Sequence, residues 1–241
     1  MLLRALADTL FPPLCHGCKV FLDDPGELHL CQACRAGITL VESPLCSCCG
    51  VPFVTEGGGD HRCGPCTSET PRFELARAVA VYDGIMRDLI HRFKYGDTVR
   101  LARPLALLTA ERLLPTVSEF APDLVLPVPL HARRLRERGF NQSLLLAEKL
   151  AKFWQLPLER SLLQRTRWTE PQTALSADER RRNLRNAFAV EDTASILGRK
   201  VLLVDDVYTT GSTLNECSLT LKGGGAAAVF AVTVARAPLA S

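Results

Sequence analysis

The chain changes texture near residue 70. Upstream, apolar residues stand among cysteines, glycines and prolines and hold no helical or strand period for long. Downstream the pattern becomes regular. Leu75 to Tyr82 alternates well enough to predict a strand, and Ile85 to Tyr95 predicts an amphipathic helix stopped by Gly96. Pro104 suits the first turn of a helix reaching about Leu114. Leu124 to Pro127 reads as a short strand closed by Pro127 and Pro129, and Asn141 to Trp154 as a helix. Ser176-x-x-Glu179 is a capping box opening a basic helix. Lys200 to Asp205 is a continuous apolar strand, and Ser212 to Lys222 is a helix halted by Gly223, Gly224 and Gly225. Ala227 to Ala235 predicts a final strand.

Strands that alternate with helices and stay apolar along their length belong to a doubly wound parallel sheet covered on both faces. The fold class is therefore α/β, in a domain over residues 71–241, preceded by a small cysteine-rich module over residues 1–70. Composition agrees: hydrophobic residues make up 47% and charged residues 23%, as in ordinary globular proteins. No apolar run approaches the roughly 18 residues of a membrane helix, so no membrane insertion is expected. The start of the chain carries Asp8 inside its apolar stretch and has no small-residue cleavage site. A cytoplasmic protein is expected.

Nine of the ten cysteines fall between Cys15 and Cys66. Eight form four Cys-x-x-Cys pairs: Cys15/Cys18, Cys31/Cys34, Cys46/Cys49 and Cys63/Cys66. Two residues between thiolates let a tight turn aim both sulfurs at one ion, and two such turns complete a tetrahedron. Four turns predict two zinc ions. Four thiolates leave no open position for water, so the zinc is structural. Spacing permits consecutive pairing of the knuckles or an interleaved, cross-braced pairing. A redox Cys-x-x-Cys occurs once rather than four times, which disfavours that alternative. Cys48 is a spare thiol, and His16, His29 and His61 are possible substitute ligands that read better as solvent-facing loop residues.

The metal changes the charge picture. The formal net charge is +3, but each four-thiolate zinc site carries −2, which takes residues 1–70 to −8 and the chain to −1. The basic excess sits in residues 131–188, where 13 Lys/Arg face 6 Asp/Glu. A polyanion meets that stretch and is repelled by the cysteine module.

The sharpest chemistry lies in Val201-Leu202-Leu203-Val204-Asp205-Asp206-Val207-Tyr208-Thr209-Thr210-Gly211-Ser212-Thr213. A buried strand delivers two acids at its carboxyl end, where open α/β sheets bind ligands. The hydroxyls of Thr209, Thr210, Ser212 and Thr213, with Gly211 and a helix start, make a phosphate cradle. Asp205 and Asp206 suit ribose hydroxyls or a magnesium ion bound there. A generic strand, turn and helix does not explain the paired acids. The Gly-Lys-Ser/Thr ending of a P-loop is absent.

This segment resembles the signature of type I phosphoribosyltransferases, which bind 5-phosphoribosyl 1-pyrophosphate (PRPP). Pro127-Val128-Pro129-Leu130-His131, Arg133, Arg134 and Arg138-Gly139-Phe140-Asn141-Gln142 resemble the ComF/GntX family of competence and DNA-utilisation proteins. Phe93-Lys94-Tyr95-Gly96, Gln172 through Arg180, Asn183 and Phe188 match that family too, as does an N-terminal double zinc ribbon. The resemblance implies a type I phosphoribosyltransferase-like parallel sheet flanked by helices, after a zinc-ribbon module. It implies PRPP with magnesium as ligand, held by Asp205, Asp206 and the segment Thr209, Thr210, Gly211, Ser212, Thr213. The stretch containing Val128, Pro129, Leu130, Arg133 and Arg134 would be the pyrophosphate loop, with Arg138 and Lys94 as further diphosphate ligands. Arg165 to Phe188, with Gln172, Arg180 and Asn183, resembles a closing flap.

Displacement at ribose C1 needs electrostatic clamping and positioning more than a protein nucleophile, and no Ser/His/Asp or Cys/His constellation stands out. Cys217 reads as a core residue. Three functions fit: a PRPP-binding protein handling single-stranded DNA in uptake or utilisation, an active phosphoribosyltransferase releasing pyrophosphate to a nitrogen acceptor, and a PRPP sensor without turnover. The resemblance further implies a DNA-uptake helicase as partner of the zinc module.

Overall fold

The computed structural model describes residues 12–53, 57–95, 99–168 and 184–238. Gly96, the capping box at Ser176 and Glu179, and Gln172, Arg180 and Asn183 lie outside them. Four parallel strands form the central sheet: β1 (Leu75–Val81), β2 (Leu124–Pro127), β5 (Lys200–Tyr208) and β6 (Ala228–Arg236). Their spatial order is β1-β6-β5-β2, so β6 lies between β1 and β5. Two short strands, β3 (Leu163–Arg165) and β4 (Phe188–Val190), pair antiparallel as a separate ribbon. The helices are α1 (Gln32–Ala36), α2 (Gly64–Ser68), α3 (Gly84–Tyr95), α4 (Ala102–Phe120), α5 (Ala132–Arg138), α6 (Gln142–Trp154) and α7 (Ser212–Gly223).

Successive side chains of β5 enter different cores, as the two-residue period of a strand requires. Leu202 and Val204 pack with Met86 and Phe93 of α3, Leu105 and Leu113 of α4, and Leu146 and Leu150 of α6. Val201 and Leu203 pack on the other face with Leu214, Cys217 and Leu221 of α7, Leu163 and Phe188 of the small ribbon, and Cys46, Cys49, Cys63 and Cys66. The sheet is thus covered on both faces, and the second group of cysteines forms part of one cover. The segment joining the two cysteine groups runs beside β1: Val41 N–H donates to Val79 O at 2.9 Å, and Val81 N–H to Thr39 O at 2.8 Å.

Two boundaries and one loop differ from the sequence expectation. α4 passes Leu114 and continues to Phe120 with Pro115 inside it, although proline removes an intrahelical bond. Leu113 and Val117, on either side, are both buried in the core, and that packing outweighs the local penalty. β5 extends to Tyr208 because β6 pairs beyond the acids, matching Asp205 to Thr233 and Tyr208 to Arg236. The strand expected to end at Asp205 therefore continues through Asp206 to Tyr208. The arginines at 133, 134, 136 and 138 lie on α5, capped by the His131 ring, which accepts from Arg133 N–H at 3.2 Å.

The cysteines pair consecutively. The sulfurs of Cys15, Cys18, Cys31 and Cys34 lie within 4.8 Å of one another, as do those of Cys46, Cys49, Cys63 and Cys66. Cys48 is buried outside both groups. His61 stacks on Phe53, and His16 and His29 lie ring to ring, so no histidine joins a cluster.

Candidate functional site

Each four-cysteine group is prepared for a cation by its own backbone. Cys15 Sγ accepts from Gly17 N–H and Cys31 N–H, both at 3.3 Å. Cys46 Sγ accepts from Cys49 N–H at 3.4 Å and Cys63 N–H at 3.3 Å. Burial alone would raise these two thiols, but the backbone donors pull each down to about 6. Burial pushes Cys34 and Cys49 up to about 12, with neighbouring thiols contributing. Four sulfurs this close cannot all be thiolates without a divalent ion, and a tetrahedral zinc fits that donor set.

The sheet's carboxyl end presents the second site. Asp205 and Asp206 leave β5 on opposite sides, yet both are engaged. Ser143 Oγ and the Asp206 N–H donate to Asp205 Oδ1 at 2.8 and 2.9 Å. Lys94 Nζ lies 3.0 Å from Asp206 Oδ2. Burial, seconded by the Asp206 charge, pushes the Asp205 carboxyl up to about 7 against the opposing pull of Ser143 and Lys94. Burial would depress the Lys94 ammonium, but Asp206 and then Asp205 hold it above its ordinary value. An adjacent pair of acids at a strand end can hold a divalent cation, and Lys94 supplies positive charge to the same pair.

These groups line an open cleft at the carboxyl end of the sheet. Its floor holds Lys94, Asp205, Asp206 and Thr213; one wall is the 128–130 backbone, and the rim carries Arg134, Arg138 and Arg165. Asn141 fixes that wall: it caps α6 through Ser143 N–H at 3.0 Å and donates from Nδ2 to Val128 O at 3.1 Å. Arg138 donates to Gln142 Oε1 at 2.6 Å and lies 5.1 Å over the Tyr95 ring. Burial holds the Arg165 guanidinium below its ordinary value, opposed by Cys217 and reinforced by Arg134. Three guanidinium groups along one rim call for an anion.

Arg133 stands apart. It pairs with Glu137 at 3.1 Å and stacks 4.5 Å from the centre of the Trp168 ring, outside the cleft lining. Thr210, Gly211 and Ser212 open toward a neighbouring hollow instead, bounded by Pro65, Cys66, Phe73 and Tyr208. Thr210 and Ser212 share a hydroxyl hydrogen bond at 2.9 Å. Gly211 is the N-cap of α7 with φ of 79°, and a β-carbon there would collide with the Tyr208 ring and hydroxyl. Thr209 is exposed.

Sequence reasoning quoted Tyr95, His131 and Gln142 within the family motifs but gave them no site role, and it gave none to Ser143 or Trp168, which also line the cleft. Ser143 was reachable in principle, since it follows an Asn141 cap at the start of a helix whose other face is apolar.

A double zinc ribbon domain matches residues 6–67, and a phosphoribosyl transferase domain matches residues 141–239. The DNA utilization protein YhgH of Escherichia coli (strain K12) is 36% identical over 221 residues, spanning 90% of this chain and 94% of that protein. The chain belongs to the ComF/GntX family. Other members agree with that placement. Competence protein F of Haemophilus influenzae is 33% identical over 221 residues, 86% of this chain and 96% of its own. Competence protein ComFC of Bacillus subtilis (strain 168) is 29% identical over 245 residues, 98% of this chain and 95% of its own. The two cysteine groups lie within the double zinc ribbon match, and β5 and β6 of the sheet lie within the phosphoribosyl transferase match. No helix among the described residues is long and apolar enough to cross a membrane.

Proposed function

We propose that the cleft binds PRPP with magnesium, in a cytoplasmic protein of DNA uptake or DNA utilisation. The observation that carries this reading is the pairing of Asp206 with Lys94 at 3.0 Å, beside Asp205, in the strand that runs into Thr209–Thr213. Asp205 and Asp206 take the ribose hydroxyls and the accompanying magnesium. Thr209, Thr210, Gly211, Ser212 and Thr213 take the 5′-phosphate at the start of α7. Val128, Pro129 and Leu130 offer backbone to the diphosphate, with Arg134 and Arg138 at the rim, Arg133 beside them, and Lys94 shared with Asp206. Arg165, Gln172, Arg180 and Asn183 belong to the flap. Two zinc ions, one per four-cysteine group, hold the ribbons and carry out no chemistry.

Magnesium, when bound, would neutralise the diphosphate and ease its departure. The residues of the chain orient C1 and exclude alternatives: the acids fix the ribose and the rim arginines hold the leaving group as charge develops on it. The same geometry serves a protein that binds PRPP without turning it over. The relatives' names tie the family to competence and DNA utilisation, and the arginines of α5 beside Trp168 support contact with single-stranded DNA there. In the same reading the ribbon module engages a helicase of the uptake apparatus.

The test is binding of Mg·PRPP by calorimetry, then pyrophosphate release with nucleobases, ammonia and single-stranded DNA offered as acceptors. Asp205→Asn/Asp206→Asn is the control. Acceptor-dependent release that the double variant loses establishes a transferase. Binding without release assigns a sensing or strand-handling role. Wild-type protein that does not bind PRPP overturns the reading.

A further inference from the structure

Arg236 ends β6 in an unusual position: its side chain is buried at 5% exposure, yet it has no ion pair with a carboxylate among the described residues. Its Nη2 donates to Cys49 Sγ at 3.2 Å, and Nε and Nη1 have no hydrogen-bond partner among the described residues. The guanidinium lies 4.0 Å from the centre of the Tyr208 ring. An uncompensated buried cation is costly. A tetrathiolate zinc centre carries two negative charges, and Cys49 belongs to such a four-cysteine group. The second cysteine group, when it holds zinc, is therefore the counter-charge that Arg236 otherwise lacks.

The chain of contact continues past the arginine. Tyr208 sits under Gly211 so closely that a β-carbon at 211 would strike its hydroxyl and ring. Strand pairing fixes the same residues from the backbone side, since Tyr208 is the register partner of Arg236 and accepts from Ala237 N–H at 2.8 Å. Phe73 meets Tyr208 edge-on at 6.2 Å and closes the other side. The ring thus rests between a cation tied to the metal group and the glycine at which α7 begins.

We infer that Arg236 is a positioning residue that links the second zinc site to the phosphate loop, so that Gly211 and the start of α7 keep their binding shape only while that site holds metal. The inference rests on the PRPP reading. It makes the ribbon part of the ligand site, and a metal lost from Cys46, Cys49, Cys63 and Cys66 shuts the 5′-phosphate end while leaving the diphosphate end intact.

Two probes separate the ends of the site: ribose 5-phosphate for the phosphate loop, and magnesium pyrophosphate for the arginine rim. Full-length wild type, Arg236→Met and Tyr208→Leu are titrated with each, and zinc content is measured alongside. The expected result is at least a tenfold loss of ribose 5-phosphate affinity in both variants, with pyrophosphate affinity within twofold of wild type. Tyr208→Leu retains two zinc ions per chain, whereas Arg236→Met yields one of its two to a chromogenic chelator faster than wild type does. Ribose 5-phosphate affinity unchanged in Tyr208→Leu overturns the inference, and so does an equal loss of both probes. Wild type that binds neither probe overturns the PRPP reading itself, a result distinct from a loss confined to the variants.

Discussion

Ser143 Oγ donates to Asp205 Oδ1 at 2.8 Å, so the first turn of α6 holds an acid that lies 62 positions further along the chain. Ser143 is one of the influences that lower Asp205 against burial and the Asp206 charge. Ser143→Ala removes a hydrogen bond to a charged group, worth about 1.5–3 kcal/mol, and raises the carboxyl by about one to two pH units. Magnesium-dependent PRPP affinity then falls about tenfold at pH 7 and recovers by pH 9 in calorimetric titrations. An equal loss at both pH values would mean that Ser143 acts on ligand rather than on the acid.

Wild-type protein carries a pH signature of its own. The Asp205 carboxyl is raised from 3.8 to about 7 in the folded chain, so the folded state keeps a proton that the unfolded state releases between those values. Its contribution to stability therefore declines as pH rises through that window and is level above it. Ligand binding moves the other way, because the proton competes with the cation. Melting temperature measured at pH 5 and pH 8 should show this decline, and Asp205→Asn should reduce it.

Gly211→Ala combines a left-handed backbone, φ 79°, with a collision against Tyr208. The strain amounts to about 1–3 kcal/mol, visible as a lowered unfolding midpoint in urea. Ribose 5-phosphate binding is lost while pyrophosphate binding survives. Unchanged ribose 5-phosphate affinity would remove the loop from the site.

The two metal groups should differ in what their loss costs. Cys15 and Cys34 pack with little beyond Leu22, Leu30 and Ile85, whereas the second group shares its core with β2, β5, β6 and α7. Cys18→Ser and Cys63→Ser should each reduce metal content from two ions to one by elemental analysis. Calorimetric unfolding should show the larger fall in melting temperature for Cys63→Ser. The reverse ranking would contradict the role of the second group in covering the sheet.

Single-stranded DNA binding should report on α5. Arg133 and Arg136 are exposed on that helix. Each Ala substitution is expected to flatten the dependence of log affinity on log salt by about 0.7, the value for one lost phosphate contact on a single strand. Fluorescence anisotropy across a salt series measures this slope directly. A slope that both substitutions leave unchanged would take α5 out of the strand's path.

Legibility in the sequence followed the range of the forces involved. Strand and helix periods placed every element of the main sheet to within a few residues, because burial on one or two faces writes itself into local spacing. The phosphate segment and the acids were equally plain, since their chemistry sits in consecutive positions. What escaped notice depends on distant partners. Ser143 matters only because β5 brings Asp205 against it, and the turn of α4 beyond Leu114 is held by core packing with partners remote in sequence. The pairing of knuckles is set by how two turns meet in space, and spacing leaves that open. Arg236 lies one position past the strand expected to end at Ala235, and nothing in the local pattern singles it out. Only the approach of Cys49, 187 positions earlier, gives it a meaning.

The strand order β1-β6-β5-β2 sets a timetable for synthesis. Consecutive cysteine pairing places all eight clustered cysteines within the first 66 residues to leave the ribosome. The sheet has no such freedom, because among the described strands β1 is bonded only to β6 and must wait until residues 228–236 are made. Throughout that interval the second cysteine group lacks the cover that β2, β5, β6 and α7 give it in the folded chain. Shortening the chain within β6 would therefore strand β1 beside a correctly tied ribbon, and turn a loss at one end of the molecule into exposure at the other.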